Sequence, residues 1–130
     1  MKITKIEALE ACVKIWSGLA KTGAARKQRW AIKKYPKHGC PCCSYADDYK
    51  LLCQECILIG LWPNMCRSDD SPYKQWEMSA NSKLRKKYAN IIADYANKLL
   101  VKEYKAAQKL VDRLDKKQKA LDVKNAERRK

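Results

Sequence analysis

The chain contains no phenylalanine, one histidine, four glycines and four prolines in 130 residues. With His38 as the sole imidazole, any Ser-His-Asp or Cys-His arrangement would have to pass through that one position. Four scattered glycines do not make a phosphate-cradling loop. No apolar run approaches the roughly 18 residues of a membrane span. The N-terminal apolar stretch is interrupted by Glu7 and Glu10 and is not followed by a small-residue cleavage site, so it does not read as a signal peptide. A cytoplasmic protein with reduced cysteines is the expectation. The adjacent carboxylates Asp47-Asp48 and Asp69-Asp70 read as caps and turn residues rather than as a nuclease centre. The chain is therefore expected not to be an enzyme.

Cysteine, by contrast, is abundant and clustered. Cys40-x-x-Cys43 is followed after nine residues by Cys53-x-x-Cys56, and after nine more by Cys66. The x-x spacing lets two sulfurs reach one ion from a tight turn, which Pro41 pre-sets. Paired Cys-x-x-Cys motifs in a reducing compartment point to a tetrahedral thiolate site for zinc. Cys40, Cys43, Cys53 and Cys56 are the expected ligands. Cys66 competes for a place among them, His38 does so more weakly, and Cys42 is the spare thiol. Cys12, inside a helical pattern, reads as a small core residue. A closed all-thiolate zinc is structural, and it compensates for the limited core of so short a chain.

Acidic residues are absent between Glu10 and Asp47, and the net charge is +15. That window carries Lys14, Lys21, Arg26, Lys27, Arg29, Lys33, Lys34 and Lys37. Such a field attracts phosphate polymers or an acidic protein surface. Arg26, Lys27, Arg29, Lys33, Lys34 and Lys37, with Trp30 among them, form the candidate binding surface. Cations interleaved with aromatics clamp a backbone and stack bases. For Trp30 itself, anchoring to the core is the first expectation, because tryptophan is mostly buried.

The apolar spacing is helical. Residues 4–22 place Ile6, Leu9, Val13, Trp16 and Ala20 on one stripe, with Thr4 and Glu7 as a capping box and Gly23 as C-cap. Residues 24–35 form a short second helix ending before Pro36. The apolar segment Ile57–Trp62 is expected beneath the metal as a strand or short helix. Ser71-Pro72 starts another helix. After a pause near Ser79–Ser82, a long helix runs on, since neither Gly nor Pro occurs beyond Pro72. If continuous, its length is about 70 Å at 1.5 Å per residue. Leu84, Tyr88, Ile91 and Tyr95 are expected to cover the stripe of Leu9, Val13 and Trp16. Tyr104, Ala107, Val111, Leu114 and Leu121 form a second stripe, shifted in phase, that needs a partner. The expected fold is mainly α: a small helical body around a cysteine-rich zinc module, followed by a long C-terminal helix. Residues 1–100 form the body, with the module at 38–66, and residues 101–130 form a basic helical extension.

The string Cys40-Pro-x-Cys43, Cys53-x-x-Cys56, Cys66 and Ser71-Pro-Tyr73-x-x-Trp76-Glu77, preceded by a helix bearing Trp16, resembles small cysteine-rich proteins of tailed bacteriophages. The resemblance covers roughly residues 5–95. It departs at Cys42, where a third thiol intrudes, and at Ile57, where a proline would be expected. It implies zinc binding and a phage origin, hence a bacterial host cytoplasm, and no defined activity. Two functions follow as expectations. One is a zinc-stabilised basic protein that binds DNA or RNA. The alternative is a phage effector that binds a host protein through an acidic surface and blocks or redirects it. Self-association through the C-terminal helix is a further expectation, and a membrane partner is not.

Overall fold

The protein was analysed as a computed structural model, which describes residues 2–52, 55–61, 66 and 68–129. These residues form helices and no strand. The order is α1 (Lys5–Thr22), α2 (Arg29–Lys34), α3 (Pro41–Asp48), a 3-10 turn (Ile59–Leu61), α4 (Pro72–Met78) and α5 (Ser82–Arg128). The fold is thus mainly α. The chain divides into two compact units, Met1–Leu100 and Val101–Lys130.

Local chemistry sets the helix ends. Thr4 caps α1: its hydroxyl accepts the Glu7 N–H at 3.1 Å and meets the Glu7 carboxylate at 3.1 Å. Gly23 ends α1 at φ 69°, a left-handed conformation open to glycine at little cost, and its N–H reaches the Leu19 carbonyl. Ser71 caps α4, with Pro72 in the first turn, as the sequence predicts. The expected pause is also present, and Asn81 accepts the Leu84 N–H where α5 begins. Arg85 then donates to the carbonyls of Gly23 and Ser79, at 2.7 and 3.2 Å, pinning the start of α5 to the end of α1.

The core of the first unit is built on α1. Ala8, Leu9, Cys12, Ile15, Trp16 and Leu19 are buried, with Ile6, Val13 and Ala20 at its margins. Cys12 is a core residue with no exposed surface. Trp16 meets Tyr73 and Trp76 of α4 edge-on, with ring centroids 5.8 and 5.0 Å apart. Such pairs contribute roughly 0.5–1.5 kcal/mol each beyond the area they bury.

Two expectations are corrected here. The face of α5 in the core is Ala89, Ile92, Ala93, Ala96 and Leu100. Leu84 and Ile91 are exposed, and Tyr88 and Tyr95 are half-buried. Small alanines let α5 approach the body, whereas the bulkier neighbouring stripe sits at its edge. The second correction concerns Cys40-x-x-Cys43, read as a tight turn: Cys40 is instead the N-cap of helix α3 and Cys43 lies in its first turn. Pro41 occupies the first turn of α3, where its missing N–H is no loss.

In the second unit every described residue except Glu103 is exposed. Among the described residues no helix is long and apolar enough to cross a membrane.

A candidate thiol-lined metal centre

The cysteine module is delivered by a bend at His38-Gly39. Both residues are left-handed, with φ of 60° and 61°. The chain enters α3 immediately afterwards, with Cys40 at its N-cap and Cys43 in its first turn. Cys66 is held from the other side: the buried hydroxyl of Ser71, which also caps α4, donates to its carbonyl. Leu58, 2 % exposed, precedes the 3-10 turn of the expected apolar segment. Trp62, also in that segment, lies outside the described residues.

These elements enclose a cavity of about 20 Å³, lined by Trp16, His38, Cys40, Cys43, Cys56, Leu58, Cys66 and Tyr73. That volume holds one atom-sized guest and no organic ligand. Four of the five cysteines singled out by spacing thus share one wall. The fifth, Cys53, lies outside the described residues. Among the described residues, no group of three or more His, Cys, Asp or Glu side chains is gathered into a formed ligand set. The donors nonetheless suit a soft or borderline ion: four sulfurs, with one imidazole at the rim.

The thiols hydrogen-bond to one another. Hydrogen bonds from Cys42 and Cys43 hold the Cys40 thiol well below the usual range, aided by the Lys27 ammonium against the opposing effect of burial. Its N-cap position adds the favourable end of a helix dipole. Cys43 is pushed up by its bond to Cys40, by burial, and by the negative charge of Cys40, Cys66 and Cys56. Cys42 is pushed up by hydrogen bonds to Cys12, Cys40 and Cys56. Its sulfur lies 3.1 Å from that of Cys12 in the α1–α3 interface, and it does not line the cavity. The spare thiol of the module is therefore part of the core.

The basic segment is split by the fold. Arg26, Arg29, Lys33, Lys34 and Lys37 are exposed. Lys37 pairs with Asp47 at 3.1 Å, and the Lys34 ammonium lies 5.7 Å from the Tyr35 ring. Trp30 is half-buried against the core, with the Lys14 ammonium 4.5 Å from its ring. Lys27 turns inward. Its ammonium donates to the His38 carbonyl and to Tyr73 Oη, and lies 4.6 and 5.6 Å from the Tyr73 and Trp16 rings. Burial lowers its pKa, while negative charge on Cys40, Cys12, Cys43 and Cys66 raises it.

Sequence spacing did not single out Trp16, Tyr73 or Ser71 as neighbours of the thiols. The Ser-Pro-Tyr start of α4 was visible, but its placement against Cys66 is a tertiary fact. No protein-family model, curated protein or solved structure matches this chain.

Proposed function

We propose that this chain is a zinc-stabilised basic protein that binds nucleic acid and has no catalytic role. Zinc would be held by Cys40, Cys43 and Cys56 with Cys66, which share a cavity, or with Cys53 in place of Cys66, closing the middle of the chain as a structural site does. The observation that carries the binding reading is the exposed cluster Arg26, Arg29, Lys33, Lys34 and Lys37 on and beside α2, in a stretch of sequence with no acid from residue 11 to 46. Asp47 offsets the charge of Lys37, so the attraction for phosphates rests chiefly on Arg26, Arg29 and Lys33, and each phosphate contact releases counter-ions. The larger groove between α1, α2 and α3, about 750 Å³, is lined by Glu7, Glu10 and Asp48 as well as Lys14 and Lys34, and suits a phosphate chain less well.

The test is binding to labelled DNA and RNA oligonucleotides at two salt concentrations. The expected result is affinity that falls steeply with salt. Reversing charge at Arg26, Arg29 and Lys33 should weaken binding well beyond the same change at Lys116, Lys117 and Lys119, which Asp112, Asp115 and Asp122 screen. Equal losses would show that only total charge matters. Absence of binding to either polymer at low salt would end the nucleic-acid reading.

A second reading is a phage-encoded effector that docks on a host protein. It is favoured by the exposed stripe of Tyr104, Val111, Leu114 and Leu121 in the second unit. A defined, nuclease-resistant complex that is lost when these four become polar would select it.

A further inference from the structure

Lys27 stands in a run of solvated cations, yet the fold packs its ammonium against residues that line the cavity. Trp16, His38 and Tyr73, the three groups that its ammonium touches, all line the thiol-walled space. Gly39 makes room for the lysine stem. A Cβ on this left-handed glycine would sit 3.3 Å from Lys27 Cδ, one residue before Cys40. The side chain is thus built into the loop that presents the first two thiols.

Among the described residues, no carboxylate pairs with this ammonium. The two ring faces and two hydrogen-bond acceptors offset part of the cost of burying this cation, and a negative group nearby would offset more. Negative charge on Cys40, Cys43 and Cys66, which line the cavity, favours the charged form of this lysine. Four thiolates around a divalent ion bear a net double negative charge.

We propose, resting on the metal reading above, that Lys27 is the counter-ion of the thiolate centre: it offsets part of the negative charge of the loaded site and is fixed in place by it. Lys27 is a positioning residue, not a ligand, since its ammonium has no lone pair to offer a metal. The consequence is a coupling. Arg26 and Arg29 flank Lys27, so loading the site with metal also sets the basic segment that carries the binding surface. By linkage, a polyanion bound to that segment tightens the hold on metal by the same factor.

The test compares the full chain with Lys27→Met, which keeps length and loses charge, with Lys27→Arg, which keeps charge, and with Tyr73→Phe, which removes only a hydrogen-bond partner. Zinc affinity is read by competition with a chromogenic chelator. Helix content of the zinc-saturated proteins is followed by circular dichroism, and the thiolate ligand set by the charge-transfer bands of the Co²⁺ form. Zinc affinity in Lys27→Met should fall roughly 10–100-fold, as removal of groups that support metal ligands does. Its zinc should be released at higher pH than in wild type, with the Co²⁺ bands unchanged. Lys27→Arg should recover most of the loss, and Tyr73→Phe should stay within a few-fold of wild type. Wild-type affinity in Lys27→Met would overturn the counter-ion role. So would a loss in Tyr73→Phe as large as that in Lys27→Met, which would make the effect one of packing. A wild-type chain that takes up no zinc would overturn the metal reading itself, a result distinct from either.

Discussion

Ser71 shows how a single side chain ties a local signal to a distant thiol. Its hydroxyl accepts the Lys74 N–H at 3.1 Å, the cap that the Ser-Pro pair announces, and donates to the Cys66 carbonyl. Removing the hydroxyl loses a cap, worth about 1 kcal/mol. It also removes a hydrogen bond to the carbonyl of half-buried Cys66, about 1–2 kcal/mol more. Ser71→Ala is expected to destabilise the zinc-loaded protein by roughly 2–3 kcal/mol in denaturant titration; a shift below about 0.5 kcal/mol would mean that water replaces both bonds. The thiols permit a sharper contrast. Cys43→Ser and Cys66→Ser should each lose bound zinc by metal analysis, since both line the cavity, while Cys12→Ser should retain it. Spacing alone singled out Cys40, Cys43, Cys53 and Cys56, with Cys66 as competitor, because chelation imposes a local pattern; of these Cys40, Cys43, Cys56 and Cys66 line the cavity and Cys53 lies outside the described residues. Lys27 was grouped with the solvated cations, because a lysine that turns inward has the same sequence neighbours as one that does not. What distinguishes it, the rings of Trp16 and Tyr73, lies 11 and 46 residues away in the chain.

At the scale of elements, α5 explains why helical periodicity names an element more surely than a face. The spacing of Leu84, Tyr88, Ile91 and Tyr95 is as regular as that of Ala89, Ile92, Ala96 and Leu100. The first set is the more bulky and so dominates a reading by hydropathy. The second is the one buried, because alanine permits the close helix approach that a small body needs. Adjacent isoleucines make this testable. Ile92 has no exposed surface and Ile91 is 38 % exposed. Ile92→Ala should lower stability by about 2–5 kcal/mol, and Ile91→Ala by less than about 1 kcal/mol. Equal costs in urea unfolding would mean that the two faces share the burial. The caps of α1 and α4 and the break before α5 were legible because each rests on contacts within four residues. The helical state of α3 was not, since three cysteines in four positions suggested a chelating turn, and it is packing on α1 through Cys12 and Cys42 that favours a helix there.

For the whole molecule, the division at Leu100 separates what folds from what remains available. Among the described residues, all the buried ones lie at or before Leu100. Beyond it, every described residue except Glu103 is exposed, including Tyr104, Leu110, Val111, Leu114, Leu121 and Val123. A chain ending at Leu100 therefore keeps every described buried residue and all the cysteines. It is expected to take up the same amount of zinc and to unfold at nearly the same denaturant midpoint, with helix content reduced by the missing segment. Its charge also changes in a way that can be read. Residues 101–130 carry eleven basic and five acidic side chains. Removing them should lower affinity for a long duplex modestly and flatten its salt dependence, while the Arg26–Lys37 cluster continues to bind. Self-association, if the apolar stripe drives it, should vanish from sedimentation profiles with the truncation, because an isolated helix with such a stripe gains burial only from a partner. A truncated chain that fails to fold with zinc would show that residues 101–130 stabilise the first unit despite their exposure. One that folds but binds no nucleic acid would move the binding surface from α2 to the C-terminal helix.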